Sequence, residues 1–218
     1  MRGNKEDDAM AETMIPSRKK SMTYPQTEKG GDVFRSVLRK HRTEFPSDAS
    51  QKALGHEGLA AELFAVWRKY VEMFSDLIVR CVSVNRAQTP QEMLDATGRK
   101  QYTDPDVIKG MPRGEGEKVE VTFFQVGRQA SDDELEKEFA SRGLKPTDPY
   151  SLAKVNQDDP AFADTHPNAT HWKGADGKWH YAAFDHWGDG ERHVDVHRNE
   201  SGWDGHWWFA GLPVSPQR

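Results

Sequence analysis

The residues best suited to chemistry in this chain lie in one short run, His193-Val194-Asp195-Val196-His197. On a β-strand alternate side chains share a face, so both imidazoles and the carboxylate line up with the two valines behind them. Such a set suits zinc, or iron with open positions, and would make the protein a metal-dependent hydrolase. His180 and His186 share a face of the preceding strand and would approach the set if the register allowed. Three points weigh against a metal site. Ligands at i and i+4 of one strand stand ~13 Å apart at strand rise, too far for both to hold one ion unaided. No His-Glu-x-x-His or Cys-x-x-Cys spacing accompanies them. Valine alternating with polar groups also describes any half-exposed strand. The hydrolase with ligands His193, Asp195 and His197 is therefore the alternative reading, and the leading reading requires no cofactor.

The leading reading starts from the aromatic residues around that run. The last quarter holds His166, His171, His180, His186, His193, His197 and His206, and with them Trp172, Trp179, Trp187, Trp203, Trp207 and Trp208. Indole supplies large, rigid contact area with one polar handle. Trp179, Tyr181 and Trp187 fall on one face of their strand, while Trp207 and Trp208 leave opposite faces of the last. A short sheet rarely needs aromatic groups on both sides, so the surplus is expected to form a binding platform. Its candidate residues are Trp179, Tyr181, Trp187, Trp207 and Trp208. The function expected is a non-enzymatic binding or assembly module, with a protein partner or a second copy as its counterpart.

Other chemistry is harder to place. Cys81 sits in an apolar run, where a thiol is usually inert packing. Ser201 lacks the strand-turn-helix setting of a nucleophile elbow. Asp132-Asp133 and Asp158-Asp159 are accounted for by helix N-termini, where the dipole favours negative charge. Arg113-Gly114-Glu115-Gly116-Glu117 precedes a strand, whereas a phosphate loop follows one and opens a helix. Its two glutamates would also repel phosphate.

The elements that must position these groups follow from periodicity and punctuation. Residues 1–31 carry almost no large apolar groups and read as a flexible tail, with Arg18-Lys19-Lys20 as a solvated basic cluster. A helical segment is expected over 32–77. Its first helix carries Val33, Val37 and Leu38 and stops before Pro46. Its second carries the stripe Leu59, Leu63, Val66, Trp67, Tyr70, Phe74 and Leu77, expected to face the protein's own core. A mixed region follows over 78–165. Strands are expected at Ile78 to Val84 and Lys118 to Val126. Thr89-Pro90-Gln91-Glu92 and Ser131-Asp132-Asp133-Glu134 are capping boxes, and Asp104-Pro105, Asp148-Pro149 and Asp159-Pro160 are further helix starts. Over 166–218, turns at Gly174 to Gly177, Gly188 to Gly190 and Gly202 to Gly205 separate three strands of an antiparallel meander, with His171-Trp172-Lys173 as a short fourth. Residues 78–218 are expected to form one domain. The fold class is α+β: N-terminal helices, short capped helices around strands, and a C-terminal antiparallel meander.

Two stretches resemble segments of bacterial proteins to which no activity is attached. One runs from Thr89-Pro90-Gln91-Glu92 through Thr97-Gly98-Arg99-Lys100-Gln101-Tyr102. The other runs from Asp159-Pro160-Ala161-Phe162-Ala163-Asp164 through Thr170-His171-Trp172-Lys173 to Trp207-Trp208-Phe209-Ala210-Gly211. The resemblance spans about 78–212 and implies a recurring module without assigning any site residue.

Composition narrows the classes. A net charge of -5 speaks against a nucleic-acid binder, which would concentrate a basic face. Hydrophobic residues make up 35% and charged residues 30%, so part of the chain is expected not to pack. One cysteine precludes an internal disulfide and fits a reducing compartment. No apolar run reaches the ~20 residues of a membrane span, and Lys5, Glu6, Asp7 and Asp8 interrupt any signal-peptide core, so the expected location is the cytoplasm.

Overall fold

The structure, a computed structural model, describes residues 21–188 and 190–214. The chain divides between Phe74 and Ser75 into two compact units. Among the described residues no helix is long and apolar enough to cross a membrane.

The first unit is helical. Helix α1 spans Tyr24–Lys40, α2 Ser47–Leu54 and α3 Leu59–Glu72, with a 3-10 turn at Arg42–Glu44. Helix α1 starts eight residues before the expected Asp32, because Thr23 and Gln26 form a capping box and Pro25 suits the first turn. The rest of the expected tail, residues 1–20, lies outside the described residues.

The apolar stripe of α3 is not core. No residue of α1, α2 or α3 is buried, and Val66, Trp67, Tyr70 and Phe74 are exposed. Helices α1 and α3 do meet, since a Cβ at Gly30 would lie 3.4 Å from the Trp67 ring. A unit this small has too little interior to enclose so many large side chains.

The second unit is α+β. Its strands are β1 (Leu77–Ser83), β2 (Lys100–Thr103), β3 (Lys118–Gln125), β4 (Leu144–Pro146), β5 (Asn168–Lys173), β6 (Trp179–His186), β7 (Arg192–Arg198) and β8 (Trp208–Pro213). They form one sheet in the order β1-β3-β8-β5-β6-β7-β2, with β4 paired to β8. The expected meander exists as β5-β6-β7, all antiparallel. Strand β8 does not continue it. It returns to the far side of β5, parallel to it, and pairs antiparallel with β3. The apolar and small residues Phe209, Ala210 and Gly211 make this possible, because a central strand must bury both faces. Strands β2 and β4 are short and were not expected. Lys100-Gln101-Tyr102-Thr103 has little apolar character and is a strand because β7 offers it an open edge in parallel register.

Helices lie on both faces. Helices α4 (Pro90–Asp95), α5 (Pro105–Lys109), α7 (Pro149–Asp158) and α8 (Phe162–Thr165) cover one, joining Leu94, Val107, Leu152 and Phe162 to Ile78, Phe123, Phe184 and Val194. Helix α6 (Asp132–Ser141) packs on the other, with Leu135 and Phe139 against Phe124, Ala169, Ala183, Trp203 and Phe209. Both capping boxes form as the sequence indicates, and Asp104 and Asp148 cap α5 and α7 ahead of their prolines. Strand β1 alternates, burying Ile78, Arg80 and Val82. Cys81 is therefore exposed rather than packed.

The glycine-bearing segment before β3 is the wall of a cation site within the protein. Arg86 donates to the carbonyls of Arg113, Glu115 and Gly116, to Ser151 Oγ and to the Asp148 carboxylate. Backbone carbonyls point inward there, the reverse of a phosphate cradle. Gly114 has φ +67°, and a Cβ there would collide with Asp148.

Candidate functional site

Strand alternation and register place His171 (β5), Tyr181 (β6) and His197 (β7) in one row across the sheet, on the α6 side. Helix α6 brings Asp132 and Glu136, four residues apart and so on one helical face, to His171. Nδ1 of His171 lies 2.7 Å from Asp132 Oδ1, and Nε2 lies 2.9 Å from Glu136 Oε1. Trp203 Nε1 donates to the same Asp132 oxygen at 2.9 Å, and Asn199 Nδ2 donates to both oxygens at 3.1 and 2.9 Å. The ring of His171 is fully buried, stacked on Trp179 at 4.7 Å and 11°.

Two opposed effects set the protonation of this pair. Burial favours a neutral His171, but the hydrogen bonds and charges of Asp132 and Glu136 outweigh it and raise the imidazole pKa. Burial likewise pushes the Asp132 carboxyl up, while hydrogen bonds from His171, Trp203 and Asn199 hold it below its usual range. With Nδ1 hydrogen-bonded to Asp132, Nε2 2.9 Å from the Glu136 carboxylate and the ring buried, His171 pins α6 to the sheet.

Beside this network opens a cavity of about 330 Å³ lined by Glu136, Thr147, Asp148, His171, Trp172 and Trp179, among others. It lies where β5 runs past the end of β4, and Thr170 Oγ1 ties the two segments by donating to the Thr147 carbonyl. Three buried polar atoms of its lining, Thr147 Oγ1, Trp172 Nε1 and His171 Nε2, make no hydrogen bond among the described residues, the last of them lying against the Glu136 carboxylate. Thr147 is 3% exposed. The indole N–H can only donate, so it asks for an acceptor.

The residues expected for a platform are spread over three environments. Trp179 lines the cavity. Trp207 and Trp208 do leave opposite faces, but each packs against a different core, Trp207 against Trp203 and Trp208 against His166. Tyr181 is half-buried beside Trp203. Trp187 alone is largely exposed, at 48%, and stacks on His193 at 4.3 Å. Of the expected metal ligands, His193, Asp195 and His197 do share a face, yet His193 is enclosed by Trp187 and Tyr102. His180 and His186 pair with Arg198 and Arg192, on the opposite face from that set. Among the described residues no group of three or more His, Cys, Asp or Glu side chains could hold a metal ion.

The sequence reading assigned no site role to Asp132, Glu136, Thr147 or Tyr102, and it counted His171 and Trp172 in the C-terminal aromatic density without placing them in a site. The i, i+4 spacing of Asp132 and Glu136 was the available signal. A capping box explained Asp132 first.

The chain matches no family model, no curated protein and no solved structure.

Proposed function

We propose that the protein is a non-enzymatic binding module whose working surface is the aromatic-rich sheet of the second unit, centred on the cavity that Trp172 and Trp179 line from opposite faces of the sheet. One observation carries this reading: Thr147 Oγ1 and Trp172 Nε1 are buried without partners in the wall of a cavity large enough for a small ligand. Leaving a polar group buried and unpaired costs about 1–3 kcal/mol, which a ligand with hydrogen-bond acceptors would recover. The indole of Trp179 offers that ligand a flat apolar wall. A fragment library screened by saturation-transfer NMR tests this. Fragments that bind the wild type should weaken at least tenfold in both Trp179→Ala and Thr147→Val. If every hit survived both changes, the cavity would not be the site.

The assembly side of the reading belongs to the first unit, with a second copy of the chain as its counterpart. The exposed aromatic and aliphatic side chains of α1 and α3 present on the order of 1,000 Å² of apolar surface, above the ~800 Å² per partner of a stable interface. Closed two-fold pairing is the usual solution for one self-complementary surface. Sedimentation should show a dimer in the wild type and a monomer in a Phe64→Ser, Tyr70→Ser double variant, both residues being exposed. A wild-type monomer at micromolar concentration would remove the proposal.

A further inference from the structure

The far end of the sheet face that carries Trp179 holds a second cluster around Trp187, eight residues on from Trp179 and therefore roughly 25 Å away at strand rise. Register sets Asp185 opposite His193, and Ala183 opposite Asp195. Strand β2 adds Lys100 beside His193 and Tyr102 beside Asp195. The small Ala183 leaves Asp195 with Asp185 as its charged diagonal neighbour across the strands. The ring of His193 is 0% exposed, stacked with Tyr102 at 5.3 Å and with Trp187 at 4.3 Å. Neither of its nitrogens has a hydrogen-bond partner among the described residues, and Nε2 is 3.9 Å from Glu191 Oε2, too long for a hydrogen bond. Oδ1 of Asp185 is buried and equally without a partner.

We propose that this cluster binds an organic cation, a guanidinium or alkylammonium group, between the Asp185 and Asp195 carboxylates and the Trp187 ring. Each part of the cluster favours that chemistry over others. Two neighbouring carboxylates, with Glu191 close by, repel an anion. A compact metal ion would need converging ligands, and no group of three is present among the described residues. A planar guanidinium donates to carboxylates in a fork and stacks on indole, so it answers the unpaired Asp185 oxygen and the exposed Trp187 face together. The protein itself already sets a cation over this aromatic group, since Lys100 Nζ lies 5.7 Å from the Tyr102 ring centre while held by Glu191 at 2.7 Å. That leaves Trp187 for the ligand.

Protonation gives the site a pH signature. Burial, and after it the charge of Asp185, push Asp195 up to about 6. The groups facing it are Asp185 and Tyr181 from β6, His193 and His197 from its own strand, and Tyr102 and Lys100 from β2. Above pH 6 the carboxylate is ionised and attracts a cation. Below it the carboxyl neutralises and that attraction is lost.

Agmatine titrated into the full chain, followed by the indole N–H resonance of Trp187, tests the proposal. Saturable binding is expected at pH 7.5, about tenfold weaker at pH 5 because roughly nine-tenths of Asp195 is then protonated. Asp185→Asn and Asp195→Asn should each weaken binding at least tenfold, and Asp195→Asn should flatten the pH dependence. If either amide variant failed to fold, Trp187→Ala, at an exposed position, should weaken binding by a similar factor. A Gly-Arg-Gly amide run in parallel separates the two sources of such a cation: tighter binding than agmatine indicates an arginine of a partner protein, and weaker binding a free amine. Absence of saturation with both probes, or saturation unchanged in Asp185→Asn and Trp187→Ala, would overturn the proposal. The cavity at Trp172 would be unaffected by that outcome.

Discussion

Asp132→Ala should destabilise the second unit by about 3–5 kcal/mol, the usual consequence of removing one partner from a buried charged pair. Asp132 is 7% exposed and accepts from His171, Trp203 and Asn199. Its loss strands two buried donors, the Nδ1 proton of His171 and the Trp203 indole, and loosens the start of α6. The pH dependence has a definite sign. Asp132 has a lowered pKa, so its contribution is present above its unfolded value and is lost as pH falls through its folded value. His171 has a raised pKa, so its contribution is complete below its unfolded value, near 6.5, and is lost as pH rises through its folded one. The pair therefore stabilises most between the carboxylate range and the imidazole range, and the variant should lose that maximum. Urea unfolding of the full chain at several pH values measures both effects. A loss under about 1 kcal/mol at pH 6 would show that the network does not hold α6 to the sheet.

Arg86→Ala should cost a similar amount, about 3–5 kcal/mol, for a related reason. The guanidinium serves three backbone carbonyls, a hydroxyl and the Asp148 carboxylate, whose side chain is 6% exposed. Without it Asp148 becomes an uncompensated buried charge, and the carbonyls of Arg113 and Glu115 turn toward solvent. Arg86→Lys should recover only part of the loss, because an ammonium cannot reach five acceptors in one plane. Limited proteolysis supplies a second readout, with new cleavage expected between Arg113 and Glu117 in the alanine variant. Equal stability of the two variants would show that charge alone, and not the fork geometry, organises the segment. Since Asp148 also lines the cavity, a shift there should weaken fragment binding as well.

How much of this was legible in the sequence depends on whether the cause was local. The capping boxes at Thr89 and Ser131 formed as read, because both partners lie within four residues and the hydrogen bonds satisfy helix-end amides directly. Strands β1 and β3 were legible from residues that alternate or are β-branched. The meander β5-β6-β7 was legible because glycine turns punctuate it. The opposed faces of Trp207 and Trp208 needed only the two-residue period of a strand.

Tertiary structure decided the rest. Whether the α3 stripe is core or surface depends on how much protein surrounds it, a property that its own periodicity does not carry. Placing β8 between β3 and β5 requires pairing across long loops, and a run of small and apolar residues is compatible with either an edge or the centre. Asp132 and His171 are 39 residues apart in sequence and meet only because α6 packs on the sheet face that His171 occupies. The HVDVH run was the most conspicuous chemistry in the sequence, yet register gave it Asp185, Ala183 and Tyr181 as neighbours in place of further histidines. Shifting the pairing by one residue would exchange those neighbours for Ala182, Phe184 and either His180 or His186, because side chains alternate between faces. The sequence by itself therefore determined the capped helices, the strands that alternate or lie between glycine turns, and which face each of their side chains leaves. Only the packed sheet, by fixing register and enclosing some polar atoms without partners, decided where chemistry is brought together.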